Sequence, residues 1–131
     1  MTERILPIAQ ADGQIALARD WARQETTAFA WSAGWRPDAG VVALVLSELV
    51  TNALLHAPGE ATLSLIFEPR GLRIVVSDGS RRPPVEGHAA RTQVGGHGLD
   101  IVAALSHDWG VIQTAAGKQV WADLTDARSL P

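Results

Sequence analysis

The chain contains no cysteine. Disulfide bonds, thiolate metal sites and cysteine nucleophiles are therefore excluded, and the composition is compatible with a reducing compartment. The N-terminal stretch lacks a basic segment followed by a long apolar run, so no secretory signal is expected. The longest apolar-rich stretch, residues 41–55, includes Glu48 and Asn52 and is too short and too polar to span a bilayer. These absences predict a soluble, cytoplasmic protein.

An excess of charge of one sign is also missing. The 131 residues carry a formal net charge of −3, which gives no general attraction to nucleic acid or to anionic membranes. Hydrophobic residues make up 47% of the chain and charged residues 19%, so a packed core is feasible and global disorder is not expected. The length, with no repeat or linker, predicts a single domain over residues 1–131.

The apolar pattern predicts the element order β-α-α-β-β-loop-α-β-β. Apolar positions at helical spacing predict helices at residues 14–31, 37–57 and 99–105. Short apolar runs between turn residues predict strands at residues 5–8, 62–67, 72–77, 109–114 and 120–124. Pro7 would confine the first strand to a sheet edge, and the tail from Asp126 is expected to fray. This order favours an α+β fold, a two-layer α/β sandwich whose mostly antiparallel sheet carries helices on one face.

The second predicted helix is the most informative segment, because polar residues interrupt a mainly apolar sequence. Glu48, Asn52 and His56 are spaced four residues apart and therefore form one polar stripe. The other faces are mainly apolar, so the helix is expected to be buried around much of its circumference. A buried carboxylate and amide need partners, which a ligand, a metal or water would supply in a pocket. Taken alone, the stripe is explained slightly better by a solvent-facing side of an amphipathic helix.

A second feature is the pair Asp78-Gly79, at the end of an apolar strand. An aspartate fixed there can accept a hydrogen bond from an exocyclic amine such as that of adenine. Gly79 would let the backbone approach a flat base without a Cβ in the way. An ordinary strand-ending Asp-Gly turn explains the same two residues, so the pair alone identifies no ligand.

A third feature is the sequence Gly95-Gly96-His97-Gly98, directly before the helix predicted from Leu99. Glycines in this position leave backbone N–H groups free to point at an anion, and the helix dipole favours phosphate there. The spacing does not fit a P-loop, because no Gly-Lys-Ser/Thr follows. It does not fit a dinucleotide-binding Rossmann unit either, since that needs a parallel βαβ unit.

Together and in this order, the three features resemble the GHKL superfamily of gyrase, heat-shock chaperone, histidine kinase and mismatch-repair ATPases. The segment from Glu48 looks like the N box of that superfamily and Asp78-Gly79 like its first glycine box. Residues 95–98 look like the second glycine box, and Gly117-Lys118 like a shortened third box. The resemblance covers nearly the whole chain and implies the GHKL ATP-binding fold.

Two short sequence segments resemble one branch of the superfamily in particular. Residues 48–53 read Glu-Leu-Val-Thr-Asn-Ala, and residues 117–121 read Gly-Lys-Gln-Val-Trp. With the compact length, they resemble the anti-sigma-factor serine kinases, especially the small actinobacterial ATP-binding regulators related to them.

The resemblance implies a role for each segment. Asn52 would coordinate Mg²⁺ through its side-chain carbonyl, and Glu48 would be the general base that takes a proton from a protein serine or from water. Asp78 would bind the adenine amine of ATP, and the glycine-rich loop would cradle phosphates under a lid formed by residues 80–94. The remaining nucleotide contacts implied by the resemblance are His56, Gly79, Gly95, Gly96, His97, Gly98, Leu99 and Gly117.

The sequence departs from the family pattern in two places. Residues 79–84 read Gly-Ser-Arg-Arg-Pro-Pro, where histidine kinases have Asp-x-Gly-x-Gly. His97 stands where these relatives commonly carry arginine, and a neutral histidine offers one donor in place of a permanent cation with several. Arg81, Arg82 and Arg91 would compensate if they reached the nucleotide, although a solvated charge cluster is the simpler expectation.

The sequence therefore favours an ATP-dependent serine/threonine kinase with Mg²⁺ as cofactor. Its expected partner is an anti-anti-sigma-type protein, with a sigma factor as a second partner, and the resemblance implies pairing with another copy of the chain. Neither nucleic acid nor a membrane is an expected partner. The alternative function is a binding module that holds nucleotide and pairs with a regulator without transferring phosphate. Glu48 and Asn52 favour the kinase, whereas His97 favours the binding module.

Overall fold

The computed structural model describes residues 1–32, 34–56, 59–79 and 98–130. The strands in this part of the chain are β1 (Thr2–Ile8), β2 (Ala61–Glu68), β3 (Gly71–Asp78), β4 (Asp108–Gln113) and β5 (Lys118–Thr125). Its α-helices are α1 (Gln14–Ala28), α2 (Ala39–His56) and α3 (Gly98–Leu105), and a 3-10 helix spans Ala127–Ser129. The helices and strands of the described ranges follow the predicted order, and the predicted loop between β3 and α3 lies almost wholly outside them. Within the described ranges, no helix is both long and apolar enough to cross a membrane.

The five strands form one antiparallel sheet in the order β1-β2-β3-β5-β4. β1 lies at the edge, as Pro7 predicted, because proline has no N–H group to donate to a second neighbour. β3 and β5 pair in the middle of the order, so their ends meet well inside the sheet. The predicted α+β architecture with a mostly antiparallel sheet is therefore confirmed.

One face of the sheet carries the core, as the buried positions of its three central strands show. In β2 the side chains of Leu63, Leu65 and Phe67 are buried, and β3 and β5 alternate in the same way. α2 contacts β2, β3 and β5, and is flanked by α1 and α3. Burying an aliphatic side chain of this size stabilises a fold by about 1.5–3 kcal/mol, so this face draws α2 onto the centre of the sheet.

The first helix is shorter than predicted. α1 ends at Ala28, and Phe29 already has an extended backbone, so the prediction of a helix through residue 31 was wrong. The indole N–H of Trp31 donates to the carbonyl of Thr26 at 2.8 Å, and its ring packs near the rings of Phe29 and Phe67. Packing of these rings on the sheet outweighs the helical spacing that placed Trp31 in the helix.

Residues 126–130 are held in place by a buried carboxylate, so the prediction that the tail frays from Asp126 was wrong. Asp126 continues the inward alternation of β5 and is buried. Its Oδ1 accepts from the backbone N–H of Arg128 at 3.0 Å, and its Oδ2 lies 2.8 Å from Nη2 of Arg128. These hydrogen bonds begin the 3-10 helix, and the guanidinium holds the pKa of Asp126 below its usual range.

This pair predicts a pH-dependent contribution to stability. Because the folded pKa of Asp126 is lowered, the contribution is complete above the usual aspartate pKa of about 3.9 and is lost as the pH falls through the lower folded value. We therefore expect Arg128→Met to lower the free energy of unfolding at about pH 7 and to lower it much less at about pH 2, as measured by urea denaturation.

The control is Arg23→Met, which removes a solvent-exposed pair with Asp20 at 3.4 Å and should change stability little at either pH. An equal loss of stability at both pH values in Arg128→Met would contradict the assigned role of the Asp126 carboxylate.

Candidate functional site

The polar stripe of α2 lies on a helix that is buried over much of its surface. Asn52 is only 8% exposed, and Glu48, one turn earlier, is half-buried. Their neighbours Leu49, Val50 and Ala53 belong to the core. The solvent-facing interpretation therefore does not hold for Asn52.

The predicted site residue at the end of the helix is only partly described. The backbone of His56 closes α2, but its side chain lies outside the described residues. The polar positions whose side chains the structure places are therefore Glu48 and Asn52.

The amide of Asn52 is the polar group that most needs a further partner. Its Nδ2 is buried and has no hydrogen-bond partner among the described residues. Leaving such a group unsatisfied costs about 1–3 kcal/mol. The oxygen and nitrogen ends of an amide exchange by a half-turn with almost no change in shape, so Asn52 can offer a ligand either an acceptor or a donor.

Asp78 ends β3 with its side chain turned into the protein. It continues the inward row of Leu72, Ile74 and Val76, and its side chain is 1% exposed. An aspartate in an ordinary surface turn would be solvated, so the structure argues against the simple Asp-Gly turn. A carboxylate buried to this extent requires an opposite charge or hydrogen-bond donors around it.

Lys118 supplies that opposite charge. It is the register partner of Asp78 in the β3–β5 pair, and its Nζ lies 3.6 Å from Oδ2 of Asp78. The Lys118 side chain is also 1% exposed, so both charges are buried together. The distance is that of an ion pair and is slightly longer than a direct hydrogen bond.

The sequence interpretation placed Lys118 in the shortened third glycine box but gave its side chain no role, although a signal was present. Lys118 starts the alternating row that continues with Val120, Ala122 and Leu124, all of which are buried. A lysine in phase with a buried row, next to a strand that ends in an inward aspartate, indicates a buried ion pair.

The turn before β5 packs directly on the Asp78-Gly79 segment. Gly117 has φ +157°, and a Cβ added there would overlap the carbonyl oxygen of Asp78 and lie 2.7 Å from Cα of Gly79. Only glycine allows this approach. The segments predicted as the first and third glycine boxes are therefore one packed unit. The structure gives Gly117 a packing role, and its predicted nucleotide contact stays a prediction.

The space beside Gly79 is open by comparison. Among the described residues, a Cβ at this position would meet nothing closer than the Ala116 carbonyl oxygen, at 3.9 Å. The predicted approach of a flat base to this backbone is therefore compatible with the described surroundings of Gly79.

Of the predicted glycine-rich loop, residues 95–98, the structure describes only Gly98. Gly98 begins α3, and Leu99 is buried in the core, so Leu99 would reach a nucleotide through its backbone N–H alone. α3 contacts α2, which places the start of this helix on an element that packs beside the Asn52 helix. Gly95, Gly96 and His97 lie outside the described residues, as do Arg81, Arg82, Arg91 and the predicted lid over residues 80–94.

The described part of the chain restricts how a metal ion would be held. It contains no group of three or more His, Asp or Glu side chains placed to bind a metal. Mg²⁺ commonly keeps several waters and takes few protein ligands in addition to phosphate oxygens. The amide oxygen of Asn52 fits that kind of site, because it can provide one oxygen while a bound phosphate and water provide the others.

Comparisons with known proteins agree with this geometry. Residues 8–124 match the family model described as the histidine kinase-like ATPase domain. The match extends from the end of β1 almost to the end of β5 and includes α2, Asp78 and Lys118. A comparison with curated proteins gives no match. The predicted resemblance to the GHKL superfamily is thus confirmed, and the chain belongs to the histidine kinase-like ATPase domain family and is an ATP-binding domain.

Proposed function

We propose that this ATP-binding domain is a protein serine/threonine kinase of the anti-sigma-factor type, acting on a serine of an anti-anti-sigma-type partner. The observation that supports it best is the buried Asn52 amide, whose Nδ2 has no partner among the described residues, one helical turn from the half-buried carboxylate of Glu48. A polar pair of this kind on a core helix is costly to the fold. A ligand that hydrogen-bonds to these two side chains would offset that cost.

The nucleotide would be held at both of its ends. The Asp78 carboxylate would accept a hydrogen bond from the exocyclic amine of adenine, and the space that the described residues leave beside Gly79 would receive the base. Asn52 would hold Mg²⁺ through its amide oxygen, and the backbone N–H groups at the start of α3 would contact phosphate. When bound, Mg²⁺ would neutralise charge on the phosphates.

Glu48 would act on the attacking hydroxyl. As the serine oxygen bonds to the γ-phosphorus, the bond from that phosphorus to the β,γ-bridging oxygen breaks and ADP leaves. The serine proton passes to the Glu48 carboxylate. Because phosphoryl transfer depends mainly on positioning and charge neutralisation, a carboxylate fixed on a packed helix is well suited to this task.

The second candidate function is a nucleotide-dependent binding module that pairs with a regulator and transfers no phosphate. His97, where the relatives commonly carry arginine, favours this candidate because it removes a permanent cation from the predicted phosphate loop. In either case the proposed partners are an anti-anti-sigma-type protein and a sigma factor, and a role in transcription regulation follows. Pairing of two copies of the chain is part of the same proposal.

Asn52→Ala should weaken ATP binding in the presence of Mg²⁺ by about 10- to 100-fold, the loss expected for one interaction with a charged group. The affinity measured with EDTA should change much less, because the residue is assigned to the metal. Calorimetric titration with a non-hydrolysable ATP analogue measures both values.

The matched control is Ser47→Ala. The Ser47 hydroxyl is satisfied within α2 by the carbonyl of Ala43 at 2.6 Å, so its removal should leave nucleotide affinity unchanged. If Asn52→Ala binds the Mg²⁺ complex as tightly as the wild type, Asn52 is not a metal ligand.

Glu48→Gln separates the kinase from the binding module. Glutamine keeps the shape and hydrogen bonding of the side chain but is a far weaker base. Nucleotide affinity should therefore survive, while transfer of labelled phosphate to a serine-bearing partner falls by about 10²- to 10⁴-fold. Glu60→Gln, at an exposed position, serves as the control.

Two results of this assay would change the assignment. Transfer by Glu48→Gln at the wild-type rate would remove Glu48 as general base. Binding of ATP by the wild type without transfer to any serine-bearing partner would replace the kinase with the binding module.

A further inference from the structure

We infer that Lys118 is a positioning residue for the base of the nucleotide. Its ammonium holds the Asp78 carboxylate as an oriented hydrogen-bond acceptor and thereby sets the preference for a purine that carries a 6-amino group. The inference rests on the proposed contact between Asp78 and adenine, and it concerns a residue outside the set assigned by the sequence interpretation.

The first support is the placement of the two charges. Asp78 and Lys118 face each other across two paired strands of the sheet, with 3.6 Å between Oδ2 and Nζ. Each side chain is 1% exposed, so water screens the pair poorly. Their mutual orientation is therefore determined by the protein.

The second support is the packing that surrounds the pair. Gly117, the residue before Lys118, lies so close to the Asp78 carbonyl oxygen that any side chain there would overlap it. The β4–β5 turn is closed by hydrogen bonds between Thr114 and Gly117, including Thr114 N–H to the Gly117 carbonyl at 2.8 Å. The start of β5 is tied to the end of β3 by the pairing of these two strands, which extends to Asp78 opposite Lys118. Lys118 is thus held against Asp78 by the backbone as well as by charge.

The third support is chemical. An ionised carboxylate only accepts hydrogen bonds, so it matches the amino group at position 6 of adenine and gains nothing from a purine without that group. In an apolar interior, a carboxylate is retained as an anion only when an opposite charge accompanies it. Without the ammonium of Lys118, the Asp78 carboxylate would lose the contact that orients it as an acceptor, and the selection for an amino group would relax.

The test compares ATP with purine riboside triphosphate, which lacks only the 6-amino group. The wild type should prefer ATP by about 10- to 100-fold, as expected for one hydrogen bond to a charged group. Lys118→Met should bring this ratio close to unity, whereas Lys118→Arg, which keeps the charge, should retain most of the preference. Gln119→Met is the control, because its side chain lies on the opposite face of β5.

The ratio distinguishes a positioning role from a structural one. A merely structural loss would weaken both nucleotides in the same proportion and leave the ratio unchanged. If the wild type prefers ATP and Lys118→Met prefers it equally, the inference is overturned while the adenine contact of Asp78 stands. If the wild type shows no preference, the adenine contact fails and the inference fails with it.

A second measurement does not depend on the folding of Lys118→Met. Lys118 is the only lysine in the chain, so ¹³C,¹⁵N-lysine labelling of the wild type gives a single side-chain ammonium signal. At saturation, ATP should shift this signal more than purine riboside triphosphate does. Only ATP has the amino group that donates a hydrogen bond to the carboxylate paired with Lys118. Equal shifts with the two nucleotides would overturn the inference.

Discussion

A buried ion pair between the ends of two central strands is the constraint on which the site depends. Asp78 closes β3, Lys118 opens β5, and both side chains are almost fully removed from water. Losing one partner of such a pair typically costs about 3–5 kcal/mol, a large share of the 5–15 kcal/mol that holds a domain together. A one-residue slip of β5 would turn Lys118 to the other face of the sheet, so the pair also fixes the register.

The register in turn decides which backbone segments meet. With Lys118 opposite Asp78, the preceding Gly117 reaches the Asp78-Gly79 backbone at a distance that excludes any side chain. On the covered face of the same sheet, apolar packing holds α2 against β3 and β5 and leaves the Asn52 amide buried, with its Nδ2 unpaired among the described residues. The same strands therefore support the core and position the site. Burying polar groups there lowers the stability of the fold.

Much of this arrangement could be predicted from the sequence. Short apolar runs between turn residues, helical spacing of apolar positions and the four-residue spacing of Glu48 and Asn52 are local patterns, and from them follow the element order, the antiparallel sheet and the site helix. The helix end near Trp31 depends on ring packing with Phe67, which is distant in sequence. The ordering of the tail depends on the inward turn of the Asp126 side chain. Lys118 was placed in the shortened third glycine box, but its side chain was given no role. Only the pairing of β3 with β5 reveals its partner.

The central claim is that this pair presents the Asp78 carboxylate to the base of ATP. A crystal structure of the chain grown with Mg²⁺ and a non-hydrolysable ATP analogue tests it most directly. We expect the exocyclic amine of adenine at about 2.7–3.2 Å from an Asp78 carboxylate oxygen, with the ammonium of Lys118 still beside that carboxylate. A nucleotide bound with its base away from Asp78, and the ion pair untouched, would contradict it.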